Sequence, residues 1–442
     1  MAWTYAHLLL EGSGVNIAQF KQSPSGQVVK IGQGEAGYHS FVPNPLPPEL
    51  SYDRELVLTL SDADRAISEL SGVGRIMPNP NLLIRPFIVR EAVLSSRIEG
   101  TQSSVSDVYA YEAGQLYIPG MEPGPAEDDV REVLNYVHAL EYGINLLDQL
   151  PVSKRMFTEL HFRLMQGVRG DKATPGYFRT TQNWIGRPGS TLNGATYVPP
   201  PVKFDHMMNC LDALEKYINA PHENPPLIRL ALIHYQFEAI HPFIDGNGRI
   251  GRLLMSMLMI QWNLLPAPLL YLSAFFERNR STYYDLLLEV SQQGNWRDWV
   301  LFFLQGVAEQ ARDAGDRAKK LQDLQAGWRQ QLAAAKSPQP MLLADKLFDT
   351  PLITATQAAR MLNVTYPTAS DAIKRLVEAG VLHQVGDNSR ERAYAALDII
   401  RIVSVPTSHD SNASEDQTQS ELEPLKPALT RHQPIKGWRR KL

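Results

Sequence analysis

The sequence has very little cysteine and no excess of either charge. Its 442 residues include one cysteine, Cys210, which excludes an intramolecular disulfide framework and a zinc site built from several cysteines. Lysine and arginine number 43 against 47 aspartate and glutamate, a net charge of -4, so the whole chain is not basic enough to coat nucleic acid or an acidic membrane. Hydrophobic residues make up 44%, which excludes wholesale disorder. At about 150 residues per domain, the length predicts about three structural units.

The sequence also lacks a clear targeting or membrane segment. The N-terminus has a short apolar run with no basic region before it, which is not typical of a secretory signal. The stretch Leu253–Phe276 is uncharged and long enough to span a bilayer, but Gln261, Asn263, Pro266 and Pro268 interrupt it. We therefore expect a helix, a proline-containing turn and a second buried segment, in a cytoplasmic protein without a membrane partner.

Two common nucleotide-binding patterns are missing or out of context. No GxxxxGK[ST] pattern occurs, which excludes a P-loop. Residues Gly32–Gly37 match GxGxxG by letter, but a proline-rich segment follows where a helix is required. A dinucleotide-binding turn is therefore excluded as well.

Helical periodicity dominates from about residue 56, so the fold class is predicted to be mainly α. Residues 174–201 are rich in Gly, Pro and Thr and predict a β-hairpin among the helices. The last long helix is expected at 307–335, and the first 50 residues are expected to be irregular apart from a short strand at GQVVKIG. We divide the chain into an N-terminal region at 1–113, a helical core with its following helices at 114–335, a compact unit at 341–402 and a disordered tail at 405–442.

The segment from His241 to Arg252, HPFIDGNGRIGR, is the most informative part of the chain. A helix is predicted before it and another from Arg249. Gly246 and Gly248 let backbone N–H groups approach a ligand at the start of that second helix, where an anion is favoured.

The charged side chains of this segment suit phosphate chemistry. Arg249 and Arg252 lie three apart on one face of the first turn and can bind phosphate oxygens. Asp245 can hold Mg²⁺, which prefers one or two carboxylates together with phosphate oxygens. His241 is the nearby side chain whose usual pKa suits a general base. The set favours phosphoryl-type transfer over the alternative, a glycine-rich turn between helices with surface arginines.

This segment resembles the signature of the Fic family, HPFx[D/E]GNGRxxR, and fills each specified position. The resemblance implies a mostly helical core and transfer of AMP from ATP, with Mg²⁺, to a hydroxyl of a protein substrate, for which the chain itself is one candidate. By the same resemblance His241 deprotonates the target Ser, Thr or Tyr, Asp245 binds Mg²⁺, and Arg252 holds the γ-phosphate. The other implied nucleotide contacts are the anion hole of Gly246, Asn247 and Gly248, and Arg249 on the phosphates.

A second motif, SSRIEG at residues 95–100, resembles the inhibitory helix of Fic enzymes, [S/T]xxxE[G/N]. Ser95 and Glu99 lie four apart and share a helix face. The resemblance implies that Glu99 pairs with Arg252, competes with the γ-phosphate and inhibits the chain in cis. Without the resemblance, the segment is an ordinary helix C-terminus with a solvated acid.

The predicted hairpin resembles the flap of Fic proteins, which pairs its main chain with the target peptide. Our candidate is Ile185–Val198. The alternative is an ordinary surface hairpin.

Two further groups of side chains have two interpretations each. Tyr283 and Tyr284 resemble the tyrosine pair that the family places near adenine, and the alternative is that one or both are core aromatics. His234, Glu238 and His241 fall on one helical face and could mimic a metal site. We favour packed polar residues that orient the catalytic loop.

Residues 352–396 have the pattern of a helix, a turn, a second helix and two short strands. This pattern predicts a winged helix-turn-helix. It resembles the C-terminal winged-helix domains of many bacterial Fic proteins. The unit has few Lys and Arg, and DNA affinity depends largely on phosphate neutralisation, so DNA binding and a protein-interaction or homodimerisation role stay open. The exposed candidates are Thr365, Tyr366, Thr368, Ser370, Lys374, Arg375, Arg390 and Arg392.

Two rival functions fit the same motifs. Glu99 could position water for removal of AMP from a modified protein, or the core could sense nucleotide for a DNA-binding regulator.

Overall fold

The computed structural model describes residues 17–33, 37–76, 81–114, 127–168, 174–186, 189–221, 224–333, 337–385 and 392–405. Several predicted features lie wholly or partly outside these ranges. They are residues 1–16 and 34–36 of the N-terminal segment, residues 187 and 188 of the flap, residues 334 and 335 of the last long helix, Arg390 of the wing and the tail from residue 406 onward.

Helices form most of the described chain, which confirms the mainly α fold class. In chain order they are α1 (Ile17–Phe20), α2 (Arg54–Ile76), α3 (Asn81–Ile98), α4 (Val105–Glu112), α5 (Glu127–Leu146), α6 (Lys154–Met165), α7 (His206–Asn219), α8 (Pro226–Ile240), α9 (Asn247–Gln261), α10 (Ser273–Arg278), α11 (Arg280–Gln293), α12 (Trp296–Leu332), α13 (Gln339–Lys346), α14 (Ala355–Leu362), α15 (Tyr366–Glu378) and α16 (Leu397–Ser404).

Helix α8 lies at the centre of the core and has no side that faces solvent. Its residues from Leu227 to Ile240 are buried apart from the half-buried Arg229. A helix that is largely apolar on every side must be covered on every side, and α2, α7, α9, α11 and α12 pack against it. The core therefore fixes the point at which α8 ends and the glycine-rich loop begins.

The uncharged stretch from Leu253 folds as expected into a helix, a turn and a second buried segment. Helix α9 ends at Gln261, Asn263 adopts a left-handed φ of 56°, and α10 begins only at Ser273. In the part of the chain that the structure describes, no helix is long and apolar enough to cross a membrane.

Helix α12 is longer than predicted. It begins at Trp296 rather than near residue 307. The first turns carry large apolar side chains, and Trp299 is fully buried with its indole N–H donating to the carbonyl of Ala231 at 2.9 Å. Burial against α8 therefore extends the helix beyond its charged part.

The N-terminal segment forms an antiparallel hairpin. Strands β1 (Gly26–Ile31) and β2 (Tyr38–Pro43) pair, which confirms the short strand at GQVVKIG and shows that the expectation of otherwise irregular structure is wrong here. The N–H of Phe41 donates to the carbonyl of Val198 at 2.9 Å. The hairpin thereby supports the segment in which the flap is predicted.

The predicted flap contains less regular pairing than a hairpin. Among its described residues, Ile185 and Tyr197 form one isolated antiparallel bridge, and Leu192–Gly194 form a 3-10 turn. Two residues before the flap, Nδ2 of Asn183 donates to the carbonyl of Phe243 at 2.8 Å, and within the flap the hydroxyl of Tyr197 donates to the carbonyl of Ala239 at 2.8 Å. Side chains therefore attach this segment to α8 and the loop after it, where a strand ladder was expected.

The C-terminal unit contains α13, β3 (Leu352–Thr354), α14, α15, β4 (His383–Val385), β5 (Ala393–Ala395) and α16. The sheet order is β3-β5-β4, all antiparallel. This order is consistent with a winged helix-turn-helix, which stays a prediction. Helix α16 extends the unit beyond its predicted end and packs against α3, α4 and α12.

The basic residues on the second helix of this unit have acidic neighbours on the same helix. Arg375 Nε lies 3.0 Å from Asp371, and Lys374 Nζ lies 3.9 Å from Glu378. A phosphate backbone would have to compete with these carboxylates. DNA binding stays a prediction.

Candidate functional site

His241 ends α8 and begins the loop. It adopts a left-handed φ of 49°, its N–H donates to the carbonyl of Phe237, and its side chain is buried. Nδ1 lies 3.3 Å from the carbonyl oxygen of Glu238, which can only accept, so Nδ1 carries the proton and Nε2 is the basic nitrogen. Burial, followed by the positive charge of Arg179, lowers the pKa of His241 to about 4. The imidazole is therefore neutral near pH 7 and able to accept a proton.

Asn247 locks the loop with its side chain. Its Oδ1 accepts from the N–H of Phe243 and its Nδ2 donates to the carbonyl of the same residue, both at 2.8 Å. Both ends of the buried amide are used in this way. Asn247 therefore has its main-chain N–H to offer a ligand, but not its side chain.

His161 on α6 is a supporting residue that the sequence did not indicate. Its Nδ1 accepts from the N–H of Gly176 at 3.0 Å, so Nε2 carries the proton and donates to the carbonyl of Asp245 at 3.0 Å. The ring stacks on Phe243 with centroids 3.9 Å apart. Burial lowers its pKa to about 4. A lone histidine in a helix gives no sign of this role before the helix is placed against the loop.

The two glycines meet different requirements. Gly246 has a φ of 79°, a left-handed conformation that favours glycine. At Gly248, a Cβ would overlap the carboxylate of Glu99 and lie 3.0 Å from Nη1 of Arg252. The carboxylate of Glu99 therefore lies directly against the loop that is expected to hold phosphate.

Arg252 is bound by the end of α3. Its Nη2 lies 2.7 Å from Oε1 of Glu99 and 3.0 Å from the carbonyl of Ser95, and its Nε donates to Oγ of Ser95 at 2.7 Å. The side chains of Arg252 and Glu99 are 1% and 11% exposed. Burial alone would lower the pKa of Arg252, but the surrounding acids, Glu99 first, raise it above its usual value. The predicted contact between these two residues is present in the structure.

Arg249 has a different acidic neighbour from Arg252. Its Nη1 lies 3.3 Å from Oε2 of Glu132 on α5, and its Nη2 lies 3.8 Å from Oδ1 of Asp245. The sequence predicted that Arg249 and Arg252 share one face of the helix and that both bind phosphate oxygens. The structure directs Arg252 toward α3 and Arg249 toward α5, because each guanidinium is buried and needs a carboxylate near it.

Asp245 is suited to Mg²⁺ as one ligand among several. Its side chain is 25% exposed, and Oδ1 accepts from the N–H of Gly246 at 2.6 Å. No group of three metal-binding side chains occurs in the described ranges. Mg²⁺ commonly binds one or two carboxylates and completes its shell with phosphate oxygens and water, so a single carboxylate beside an anion site fits this ion.

A cleft lies beside the end of α8. Its walls include Ile185 and Tyr197 of the flap, Glu238 of α8, and Tyr284 and Leu287 of α11.

The structure separates the predicted tyrosine pair. Tyr284 lines the cleft. Tyr283 stacks on Phe276 with centroids 4.5 Å apart, and its hydroxyl lies 2.8 Å from Nε2 of His234. Tyr283 is therefore a core aromatic. His234 packs against it, which agrees with the interpretation of His234 as a packed polar residue rather than a metal ligand.

Arg179 ties His241 to the flap side of the site and was also not indicated by the sequence. Its Nε donates to the carbonyl of His241 at 2.9 Å, and its Nη2 donates to the carbonyls of Pro200 at 2.6 Å and Ile240 at 3.4 Å. The side chain is 1% exposed. Arg179 thereby satisfies the carbonyl groups that α8 leaves unpaired at its C-terminus.

Replacing Arg179 with Met should lower the free energy of unfolding by about 3 kcal/mol, because several buried carbonyl groups lose their donor. Urea unfolding measures the change. The control is Arg155→Met, which removes an exposed arginine paired with Glu159 at i+4 and should cost less than about 0.5 kcal/mol. Equal losses for the two variants would show that Arg179 does not hold this end of α8.

Comparison with known proteins agrees with the geometry. The Fic/DOC family N-terminal model matches residues 57–145, and the Fic/DOC family model matches residues 151–259. Over 182 residues the chain is 31% identical to the protein adenylyltransferase Fic of Drosophila grimshawi and 30% identical to that of Drosophila ananassae. These matches cover 40% of this chain but 34% and 33% of the relatives, so the chain spans about a third of their length.

A crystal structure of a Fic family protein from Desulfovibrio desulfuricans G20 has the same fold. It is 19% identical, with a TM-score of 0.52, and the match covers 79% of this chain and 98% of that one. The regions that the two family models match contain residues 95–100 and the glycine-rich loop with Arg252. The chain belongs to the Fic/DOC family.

Proposed function

We propose that this protein transfers AMP from ATP to a Ser, Thr or Tyr hydroxyl of a protein, and that Glu99 inhibits the transfer by occupying Arg252. The observation that carries the proposal is the meeting of a neutral His241, a glycine loop and Arg252 around the N-terminus of α9. The relatives named protein adenylyltransferase support the same activity.

The proposed reaction needs one base and a site for negative charge. Nε2 of His241 takes the proton of the target hydroxyl, whose oxygen then attacks the α-phosphorus. A new P–O bond forms there while the bond to the bridging oxygen of the leaving pyrophosphate breaks. The N–H groups of the loop from Gly246 to Gly248 and the start of α9 stabilise the charge on the phosphate oxygens.

Mg²⁺ is part of the proposal. Asp245 would hold it, and the ion would neutralise charge on the phosphates. Arg249 would add a further cation beside the same loop.

Inhibition follows from competition for one guanidinium. Arg252 makes its short contact with Glu99 through Nη2, and its Nε is used by Ser95. A phosphate that needs the same Nη2 must displace the carboxylate of Glu99. Until that happens, ATP does not reach a productive position.

The experiment incubates the purified chain and candidate proteins with ATP labelled at the α- or the γ-phosphate. The proposal expects protein labelling from α-labelled ATP only. Labelling from the γ-position would indicate a kinase. No labelling from either, with Glu99 also removed, would contradict AMP transfer.

A second candidate function is removal of AMP from a modified protein. The carboxylate of Glu99 lies against Gly248, where it is placed to orient a water molecule toward a bound phosphate. Release of AMP from an AMP-modified target, lost on Glu99→Gln, would support this candidate over transfer.

A further inference from the structure

We propose that Glu238 binds the base edge of the nucleotide, with its carboxyl group acting as both hydrogen-bond donor and acceptor. The inference rests on the proposed function, because it takes the cleft beside α8 as the place where the nucleoside of ATP binds. It assigns a specificity-determining role to a residue outside the glycine-rich loop.

The cleft has largely apolar walls, which suit the faces of a flat ring. Its apolar walls come from Ile185 of the flap, Ala239 of α8, and Leu287 and Leu288 of α11. Several hydroxyls on the same walls are already bonded within the protein: Tyr197 to the carbonyl of Ala239, and Tyr235 to Ser291 at 2.9 Å. The hydrogen atoms of these hydroxyls are therefore already used within the protein.

Glu238 differs from these hydroxyls. It is 5% exposed, and its Oε1 has no hydrogen-bond partner within the described part of the chain. A Cβ at Gly251 would lie 2.5 Å from that oxygen, so the acid is packed where α8 meets α9. A buried acid without a partner costs stability. That cost is offset if the carboxyl gains its partner when a ligand enters the cleft.

The protonation state of Glu238 decides what it can bind. Burial raises its pKa to about 8, Arg252 opposes this, and the negative charge of Glu99 adds to it. Near pH 7 the group is therefore a neutral acid, with one O–H donor and one carbonyl acceptor. The adenine edge presents an acceptor ring nitrogen beside an amino donor, which complements this pair. A neutral acid also leaves Arg252 available to phosphate.

The other groups that face Glu238 keep their charge between about pH 6 and pH 9. Burial, and then Arg252, lowers the pKa of His234 to about 3. Arg252 itself stays cationic because its pKa is raised. The tyrosines around the carboxyl, whose pKa values burial raises, are Tyr197, Tyr235, Tyr283 and Tyr284.

The test measures ATP binding by calorimetry, with Mg²⁺ and a non-hydrolysable ATP analogue, in the full chain with Glu99→Gly as parent. Glu238→Met keeps the length of the side chain and removes both hydrogen bonds. Glu238→Gln keeps one donor and one acceptor and is the matched control. We expect Glu238→Met to lower the affinity for the ATP analogue about tenfold and Glu238→Gln to change it less than about threefold. The melting temperature of the Met variant should not fall, because a buried acid without a partner has been removed.

A pH series on the parent gives an independent measurement that needs no Glu238 variant. Affinity should fall as Glu238 ionises, at or below about pH 8, since removing Glu99 removes one cause of the raised pKa. The Gln variant should show no such fall.

The outcomes separate this inference from the proposed function. A parent that does not bind ATP contradicts the proposed function. If the parent binds ATP and Glu238→Met binds it equally well, Glu238 does not bind the nucleotide. If Glu238→Met does not fold, the pH series decides: an affinity of the parent that stays constant to about pH 9 would also contradict the proposed role of Glu238. A Met variant that loses affinity together with melting temperature would show a structural role instead.

Discussion

Replacing Glu99 with Gly should raise AMP labelling from ATP about tenfold or more, because Arg252 is no longer held by a competing carboxylate. In the intact chain Glu99 binds Nη2 of Arg252 at 2.7 Å, and both side chains are largely buried. The same change should lower the free energy of unfolding by about 3 kcal/mol, since it leaves a buried cation without its acidic partner. Higher activity together with lower stability is the expected result.

Two further variants give this prediction its controls. Glu99→Gln keeps the size of the side chain and removes its charge, so its labelling should lie between those of the parent and the Gly variant. Glu378 also ends a helix but is exposed, with its side chain 64% accessible, and Glu378→Gly should leave labelling unchanged. If Glu99→Gly labels no more protein than the parent across many candidate targets, Glu99 is not inhibitory.

Replacing His241 with Ala in the Glu99→Gly parent should reduce AMP transfer by about 10²- to 10⁴-fold, the usual contribution of a general base. Binding of ATP should be retained, because the loop amides and both arginines remain. His241→Asn is the second variant, since Asn tolerates the left-handed φ of 49° at this position and has no basic nitrogen.

The pH profile tests the environment of His241 as well as its role. Its pKa is lowered to about 4, first by burial and then by Arg179. Because the base form is the neutral form, the transfer rate at saturating ATP, where a change in ATP affinity does not contribute, should be lost only as the pH falls toward 4 and should stay constant between about pH 8 and pH 6. An unperturbed histidine, with a pKa of about 6.5, would lose most of the rate before about pH 5.5.

The exposed His138 on α5 supplies the matched control for His241→Ala. His138→Ala should leave both rate and profile unchanged. A rate that follows an apparent pKa near 6.5 would show that His241 is solvated during the reaction, or that another group is the base.

The loop from His241 to Arg252 could be predicted from the sequence because its geometry is local. The end of α8, the left-handed Gly246 and the start of α9 follow from residues within a dozen positions of one another. Family resemblance then supplied the partner of Arg252, since no local pattern links Glu99 to a residue so distant in sequence. Resemblance also suggested a regular flap, where the structure has a single bridge between Ile185 and Tyr197.

The supporting residues could not be predicted in this way. Arg179 follows two aromatic residues in an irregular segment, and neither its spacing nor its type indicates that it will bind the end of α8. His161 became informative only through Asp245 and Phe243, which come from a different part of the chain. Hydrophobic periodicity indicates which face of a helix is buried. It does not indicate which buried polar side chain will bond to which partner on another helix.

The sequence by itself determined the mainly helical fold. It also predicted phosphate chemistry at the glycine-rich loop, and its resemblance to the Fic family supplied the proposed base, cations and inhibitor. Each depends on residue type and short spacing, which the chain carries before it folds. Tertiary structure alone decided that Arg249 lies near Glu132 and that Tyr283 lies in the core while Tyr284 lines the cleft. It also decided that Oε1 of Glu238 is buried with no hydrogen-bond partner among the described residues. Those outcomes depend on which helices pack together, because burial sets both the cost of an unpaired charge and the protonation of His241 and Glu238.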